Sequence, residues 1–189
     1  MSSRNINVVI VGGSTAGLRA AKTIASLSTQ GYTNLSITII DKNEYYFHAI
    51  GAPRSIVDAE FGKKLFVPLK DIVDGMQASS SQSKHQFIHS TLTSINDNHT
   101  ITLSNGQTLV YDYLVLATGA RNRTPAHYDG TTVAEAQSNV IKVYENIKKA
   151  HDILIIGGGA VGVEMAGEIA GAYPDKKITL INSVDSVSK

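Results

Sequence analysis

The chain has 189 residues, 42% of them hydrophobic and 17% charged, with a formal net charge of +1 at pH 7. That balance is globular rather than disordered and gives no electrostatic case for nucleic acid or an anionic membrane as partner. Cysteine is absent, which excludes disulfide staples, thiolate metal sites and redox-active cysteine pairs within these residues.

Ile6–Val11 is a continuous apolar run, the pattern of a strand buried on both faces of a parallel sheet. Thr15–Ser28 follows as a helix, with Leu18, Ala21 and Ala25 on one face and Gly31 as its stop. Leu35–Ile40 reads as the second parallel strand and closes on Asp41, giving a βαβ unit. Lys42–Val73 is less regular. It holds Pro53, Pro68 and the aromatic cluster Tyr45, Tyr46 and Phe47, read as core or dimer packing, and a short helix is expected near Arg54–Ala59.

Ala78–Lys84 is a polar loop. Gln86–Ile95, Thr100–Leu103 and Gln107–Val110 are expected to form an antiparallel meander, with Asn105-Gly106 as the turn between the last two strands. Tyr113–Ala117 is a further buried parallel strand running into Thr118-Gly119. Arg121–Asn139 reads as loop and Val140–His151 as helix. Ile153–Ile156, Val161–Ala170 and Lys177–Ile181 then repeat strand, helix, strand, so the chain carries two βαβ units.

Each unit opens on a glycine-rich turn. The dinucleotide fingerprint needs one glycine for the tight turn, one for close approach of the pyrophosphate and one for helix–strand packing, with the helix N-terminus facing the phosphates. In Val8–Ala21 these places are Gly12, Ser14 and Gly17; the serine is small and can donate to a phosphate, but its Cβ narrows the approach. Asp41 stands where a carboxylate accepts from an adenosine ribose. A ligand-free strand–helix corner is the plain alternative, and the strand, helix and acid together argue against it. In Ile153–Gly167 the places are Gly157, Gly159 and Gly162, all intact. Asn182 ends that unit's second strand where an acid usually stands, which leaves the choice between NADH and NADPH open. Glu164 is placed in the first turn of the following helix, either as a dipole-stabilised helix acid or as a group with a chemical role.

The remaining signals are weak. No apolar run approaches the roughly 18 residues of a membrane helix. Position 2 is Ser, so N-myristoylation is not expected, and a strand starting near Ile6 leaves no room for a cleaved presequence. Asn98-His99-Thr100 is read as a chance sequon. None of the six histidines has ligand spacing, and His48, beside the aromatic cluster, is read as surface or packing; no metal site is expected.

The order VVIVGGSTAG, IIDKNEYYFH, YDYLVLATGA, IIGGGAVGVEMAGEI resembles the FAD-dependent pyridine nucleotide oxidoreductases over nearly the whole chain. FHAIGAPRSIVD, GVEMAGEI and YPDKKITLI are similar to the apoptosis-inducing-factor-like branch, which includes the ferroptosis suppressors and fungal relatives. The resemblance implies an α/β, Rossmann-like FAD/NAD(P)-binding fold with a parallel sheet, an inserted three-stranded meander at about 86–110 and a second, incomplete Rossmann-like unit. It implies an FAD-binding domain over 1–125 and the start of an NAD(P)-binding domain over 126–189.

FAD would lie on Gly12, Gly13, Ser14, Thr15, Ala16 and Gly17, with Asp41 and Lys42 at the adenosine ribose. Arg54, the backbone of Leu92, and Ala117, Thr118 and Gly119 would also reach the flavin nucleotide. NAD(P)H would occupy Gly157, Gly158, Gly159, Ala160, Val161 and Gly162, and Glu164 would be the catalytic candidate near the nicotinamide–flavin junction. The implied reaction passes hydride from NAD(P)H to FAD and on to a quinone-like small molecule. The alternative is a truncated, non-catalytic paralogue that binds a nucleotide or a partner. The implied setting is cytoplasmic, with a membrane or mitochondrial surface and a homodimer left open for a full-length form.

Overall fold

A computed structural model of the chain describes residues 6–27, 35–77, 84–120 and 122–184. The expected helix stop at Gly31 and most of the polar loop at 78–84 lie outside these residues. The fold is α/β, as expected, and it divides into two compact units. The first comprises 1–46, 67–120 and 131–133; the second comprises 47–66, 121–130 and 134–189.

The first unit is built on a four-stranded parallel sheet in the order β5-β2-β1-β9, where β1 is Ile6–Val11, β2 is Leu35–Asp41, β5 is Lys84–His89 and β9 is Tyr113–Leu116. Alternation along β1 sends Val8 and Ile10 to one face and Val9 and Val11 to the other, and all four are buried. Burying each such side chain contributes about 1.5–3 kcal/mol. Helix α1 (Thr15–Ser26) covers the first face with Leu18 and Ala21, joined by Leu69 and Val73 of α4 (Leu69–Gln77). An antiparallel meander of β6 (Leu92–Asn96), β7 (Thr100–Leu103) and β8 (Thr108–Val110) covers the other with Ile101 and Leu103.

The second unit holds a two-stranded parallel sheet, β10 (Asp152–Ile156) and β11 (Lys177–Ile181), under helix α6 (Ala160–Ala172). Ile155, Ile169 and Ile56 form its core, with Val143 and Ile147 of α5 (Val133–Lys149) packed against them. Residues 47–66 add a 3₁₀ turn at Ala49–Gly51 and the short helices α2 (Ala52–Ser55) and α3 (Ala59–Lys63). Tyr128 is buried there, its hydroxyl 2.7 Å from Ser55 Oγ and its ring edge-on to Phe47 and Phe66. The remaining strands, β3 (Tyr45–Phe47) and β4 (Phe66–Pro68), pair as a ribbon. The expected aromatic cluster is thus core packing: Tyr45 is buried, and Phe47 stacks on Phe66.

Several boundaries differ from expectation. Gln86–Ile95 is two strands, not one meander strand. The first pairs parallel with β2, and the chain breaks at Ser90, whose N–H donates to the Asp41 carbonyl at 2.9 Å. The meander therefore begins at Leu92. Helix α4 lies in the stretch read as irregular, although Leu69, Ile72, Val73 and Met76 have helical spacing after Pro68. The short helix expected near Arg54–Ala59 is interrupted, because Asp58 leaves the helical conformation to cap α3 by accepting from the Phe61 N–H. Helix α5 starts seven residues before Val140, because the Glu44 carboxylate accepts the Val133 N–H at 2.7 Å and satisfies an open end that would otherwise fray.

Candidate functional site

The first turn follows directly from the end of β1. Gly12 has φ +112°, in the region that favours glycine, and its N–H donates to the Ile40 carbonyl at 2.8 Å. A Cβ on Gly12 would strike the Ala117 carbonyl, and Ala117 is itself fixed by its N–H to Val11 at 2.8 Å. A Cβ on Gly17 would strike the Gly12 carbonyl, so this glycine lets the helix lie against the turn. Gly13 donates its N–H to Asp41 Oδ2 at 2.6 Å, and Asp41 Oδ1 accepts from the Asn43 N–H at 2.8 Å. A carboxylate offers about four lone-pair directions, so Asp41 keeps capacity for a ribose hydroxyl while holding the turn.

Ser14 occupies the N-cap of α1 but makes no side-chain cap bond. It is exposed with Thr15 and Ala16, and Leu18 N–H bonds to its carbonyl at 2.8 Å. The helix end thus offers N–H groups and a positive dipole end to an anion. These features fit a dinucleotide phosphate on the turn. Among the other expected residues of this unit, Lys42 is exposed, and its carbonyl is 2.8 Å from His89 Nε2. Leu92 packs half-buried on the cluster of Val9, Val11 and Ile40. Thr118 and Gly119 are exposed, with Gly119 at φ +70°.

The second turn repeats the first. Gly157 has φ +113° and donates to the Ile181 carbonyl at 2.8 Å, and a Cβ on Gly162 would strike the Gly157 carbonyl. Gly158 donates its N–H to Asn182 Oδ1 at 3.1 Å, and a Cβ there would come within 2.8 Å of Asn182 Cγ. Gly159 is the N-cap of α6 and has extended backbone angles; Ala160 and Val161 follow it, exposed. Unlike Gly12, Gly157 has nothing among the described residues within 4 Å of where a Cβ would stand. Glu164 needs correcting: α6 starts at Ala160, which places Glu164 just past the first turn, where the dipole's effect has faded.

Arg54 lies in the second unit, on α2, and not in the unit that carries the first turn. Its Nη1 donates to Glu168 Oε2 at 2.9 Å. Glu164 and Glu168 stand one turn apart on α6, and with Arg54, Asp58 and Tyr144 they line a cleft of about 870 Å³. The structure thus brings Arg54 and Glu164, expected on different nucleotides, to one cleft. Sequence reading missed Glu168, although its four-residue spacing from Glu164 was visible. It also missed Asn43, although an Asp bonding the backbone two residues on is a recognised turn signal. Among the described residues, no group of three His, Cys, Asp or Glu could hold a metal ion, and no helix is long and apolar enough to cross a membrane.

Residues 6–188 match the family described as pyridine nucleotide-disulphide oxidoreductase, and the chain belongs to that family. It is 30% identical over 191 residues to apoptosis-inducing factor homolog B of Dictyostelium discoideum, which covers 99% of this chain and 44% of the relative. It is 31% identical over 183 residues to ferroptosis suppressor protein 1 of Mus musculus, covering 94% and 44%. The chain therefore spans less than half the length of these curated relatives. Among solved structures, the sulfide:quinone oxidoreductase of Aquifex aeolicus shares the fold with a TM-score of 0.67 at 23% identity, over 94% of this chain and 43% of that one.

Proposed function

We propose, with that family membership as the premise, that the chain supplies the flavin and nicotinamide nucleotide sites of an FAD-dependent oxidoreductase. Hydride passes from NAD(P)H to FAD, and the electrons go on to a quinone-like small molecule. The observation that carries this reading is the doubled turn: the same glycine geometry, with a strand-end Asp or Asn oxygen accepting the second glycine's N–H, occurs twice in one chain. One such corner serves one dinucleotide; two serve a donor and an acceptor of electrons.

When bound, FAD supplies the two-electron chemistry, and this chain supplies binding and orientation. Gly12, Gly13 and the helix end at Ser14–Gly17 would hold the flavin's pyrophosphate, Asp41 and Lys42 its ribose side, and the backbone of Leu92 and Ala117–Gly119 would line its path. Gly157–Gly162 hold the nicotinamide dinucleotide. Glu164 faces the cleft that Arg54 also lines, where a carboxylate and a guanidinium can orient a polar ring edge. The quinone-like acceptor rests on the resemblance to the apoptosis-inducing-factor-like branch alone, and a homodimer or membrane-surface attachment belongs to the same proposal for a longer form.

The test is to mix the purified chain with FAD, pass it through a desalting column and record its visible spectrum. Flavin absorption travelling with the protein, lost in Asp41→Ala, is the expected result. A colourless chain would sink the flavin reading. A flavin-loaded chain that leaves NADH and NADPH unoxidised with a soluble quinone would favour the non-catalytic paralogue.

A further inference from the structure

The first turn is braced from outside its own segment, and we infer that Leu69 is a positioning residue for the flavin nucleotide: it fixes Gly13, and through Gly13 both the Asp41 carboxylate and the start of α1. This rests on reading Gly12–Gly17 as the flavin's turn. Position 13 is a place that the dinucleotide fingerprint leaves open to any residue. Gly13 has no positive φ to require a glycine there. Its Cα instead lies on a core side chain: a Cβ would stand 2.6 Å from Leu69 Cδ1 and 3.0 Å from Cδ2. Leu69 is 0% exposed in the cluster of Val8, Ile10, Leu18 and Val73, and a close-packed core leaves it little room to retreat.

The contacts around this point close a ring. The Gly13 N–H donates to Asp41 Oδ2 at 2.6 Å. Just past Asp41, the Glu44 carbonyl accepts the Leu69 N–H at 2.8 Å, and the Leu69 side chain returns to Gly13. Glu44 is itself tied down: its N–H donates to the Thr131 carbonyl at 2.8 Å, and its carboxylate accepts the Val133 N–H at 2.7 Å. The ribose-side carboxylate and Ser14, the N-cap that follows Gly13, are therefore held against one buried leucine. Binding groups keep their place when the side chains behind them are locked by packing. The second turn lacks this brace. The nearest atoms to a Cβ on Gly158 all belong to Asn182, a residue of its own βαβ unit.

Equilibrium dialysis of the purified chain against FAD tests this without any turnover, with urea unfolding alongside. Leu69→Ala and Val73→Ala, one turn apart on α4, both leave a void in the same cluster and should both lower the urea midpoint. Only Leu69→Ala should weaken FAD, by about tenfold or more, while Val73→Ala and the conservative Leu69→Met stay within about threefold of the wild type. Gly13→Ala, which drives a methyl into Leu69, should also lose about tenfold. In the double variant Gly13→Ala with Leu69→Ala, the methyl enters the vacated space. That variant should bind FAD at least about threefold more tightly than either single variant. Equal weakening by Leu69→Ala and Val73→Ala, or a double variant no tighter than its parents, overturns the inference. Should a single variant fail to fold, a folded double variant that binds FAD still supports it, and one that does not bind overturns it. A wild-type chain that takes up no FAD removes the flavin reading and the inference with it. Uptake by the wild type without this size-for-size rescue removes the inference alone.

Discussion

The two glycine turns are nearly the same object in unlike surroundings. Gly12 and Gly157 share a φ near +112°, and both bond to the neighbouring strand at 2.8 Å. Yet β1 is buried on both faces, with Val9 2% and Ile10 0% exposed, while β10 is buried on one, with Ile155 7% but Leu154 56% and Ile156 81% exposed. The lesson is one of range. A strand, a turn, a helix and the next strand suffice to build the corner, because the bonds made by its first two glycine N–H groups join residues of that segment. Burial of the strand depends on elements far away in the chain: α4 and the meander in the first unit, and α5 and Ile56 on the single covered face of the second.

The sharpest way to break this contrast is to put the same polar group into both strands. Val9→Asn loses a buried side chain and buries an amide without partners, which should cost about 3–5 kcal/mol. Ile156→Asn, on the open face, should change stability by less than about 0.5 kcal/mol. Urea unfolding followed by circular dichroism compares the two, and equal losses would show that the open face of β10 is covered in solution.

A smaller effect separates the turns themselves. In Gly12→Ala the new methyl meets the Ala117 carbonyl at a φ that L-residues avoid, for an expected loss of about 2–4 kcal/mol. Gly157→Ala carries the same backbone strain without a collision among the described residues and should lose about 1 kcal/mol. A Gly157→Ala variant as damaged as Gly12→Ala would mean that the second turn, too, is backed by another part of the chain.

The same division by range explains what was legible in the sequence. The apolar run Ile6–Val11, the glycine spacings, Asp41 at its strand end and the hairpin at Asn105-Gly106 all depend on neighbours in sequence, and each stands where it was read. The early start of α5 was hidden because its cap, Glu44, comes from 89 residues away. The Arg54–Glu168 pair spans 114 residues, and nothing local in FHAIGAPRSIVD points to it. Leu69, which lies under Gly13 and would be hit by a Cβ there, belongs to a helix that starts directly after Pro68, within the stretch read as irregular. Ser90 ends a strand because the Asp41 carbonyl holds it, which no pattern in Gln86–Ile95 reveals.

The smallest effect tests whether the two units respond differently to acid. His85, on β5 opposite Ile37, is buried, and burial holds its imidazole below the ordinary value of 6.5, only partly offset by a backbone hydrogen bond at Lys84. In the second unit His48 and His151 are exposed and His127 is half-buried. As pH falls through the ordinary imidazole range, the unfolded chain takes up a proton at His85 that the folded chain refuses. Stability contributed by the neutral ring is therefore full above that range and drains away below it, until the folded-state value is also passed. The slope from one group cannot exceed about 1.4 kcal/mol per pH unit. Urea midpoints at pH 7.5 and 5.5 should thus differ more in the wild type than in His85→Gln, whose amide is polar but does not titrate. If the variant keeps the full acid sensitivity, the response belongs to the remaining carboxylates and histidines, and the buried imidazole does not set the first unit apart from the second.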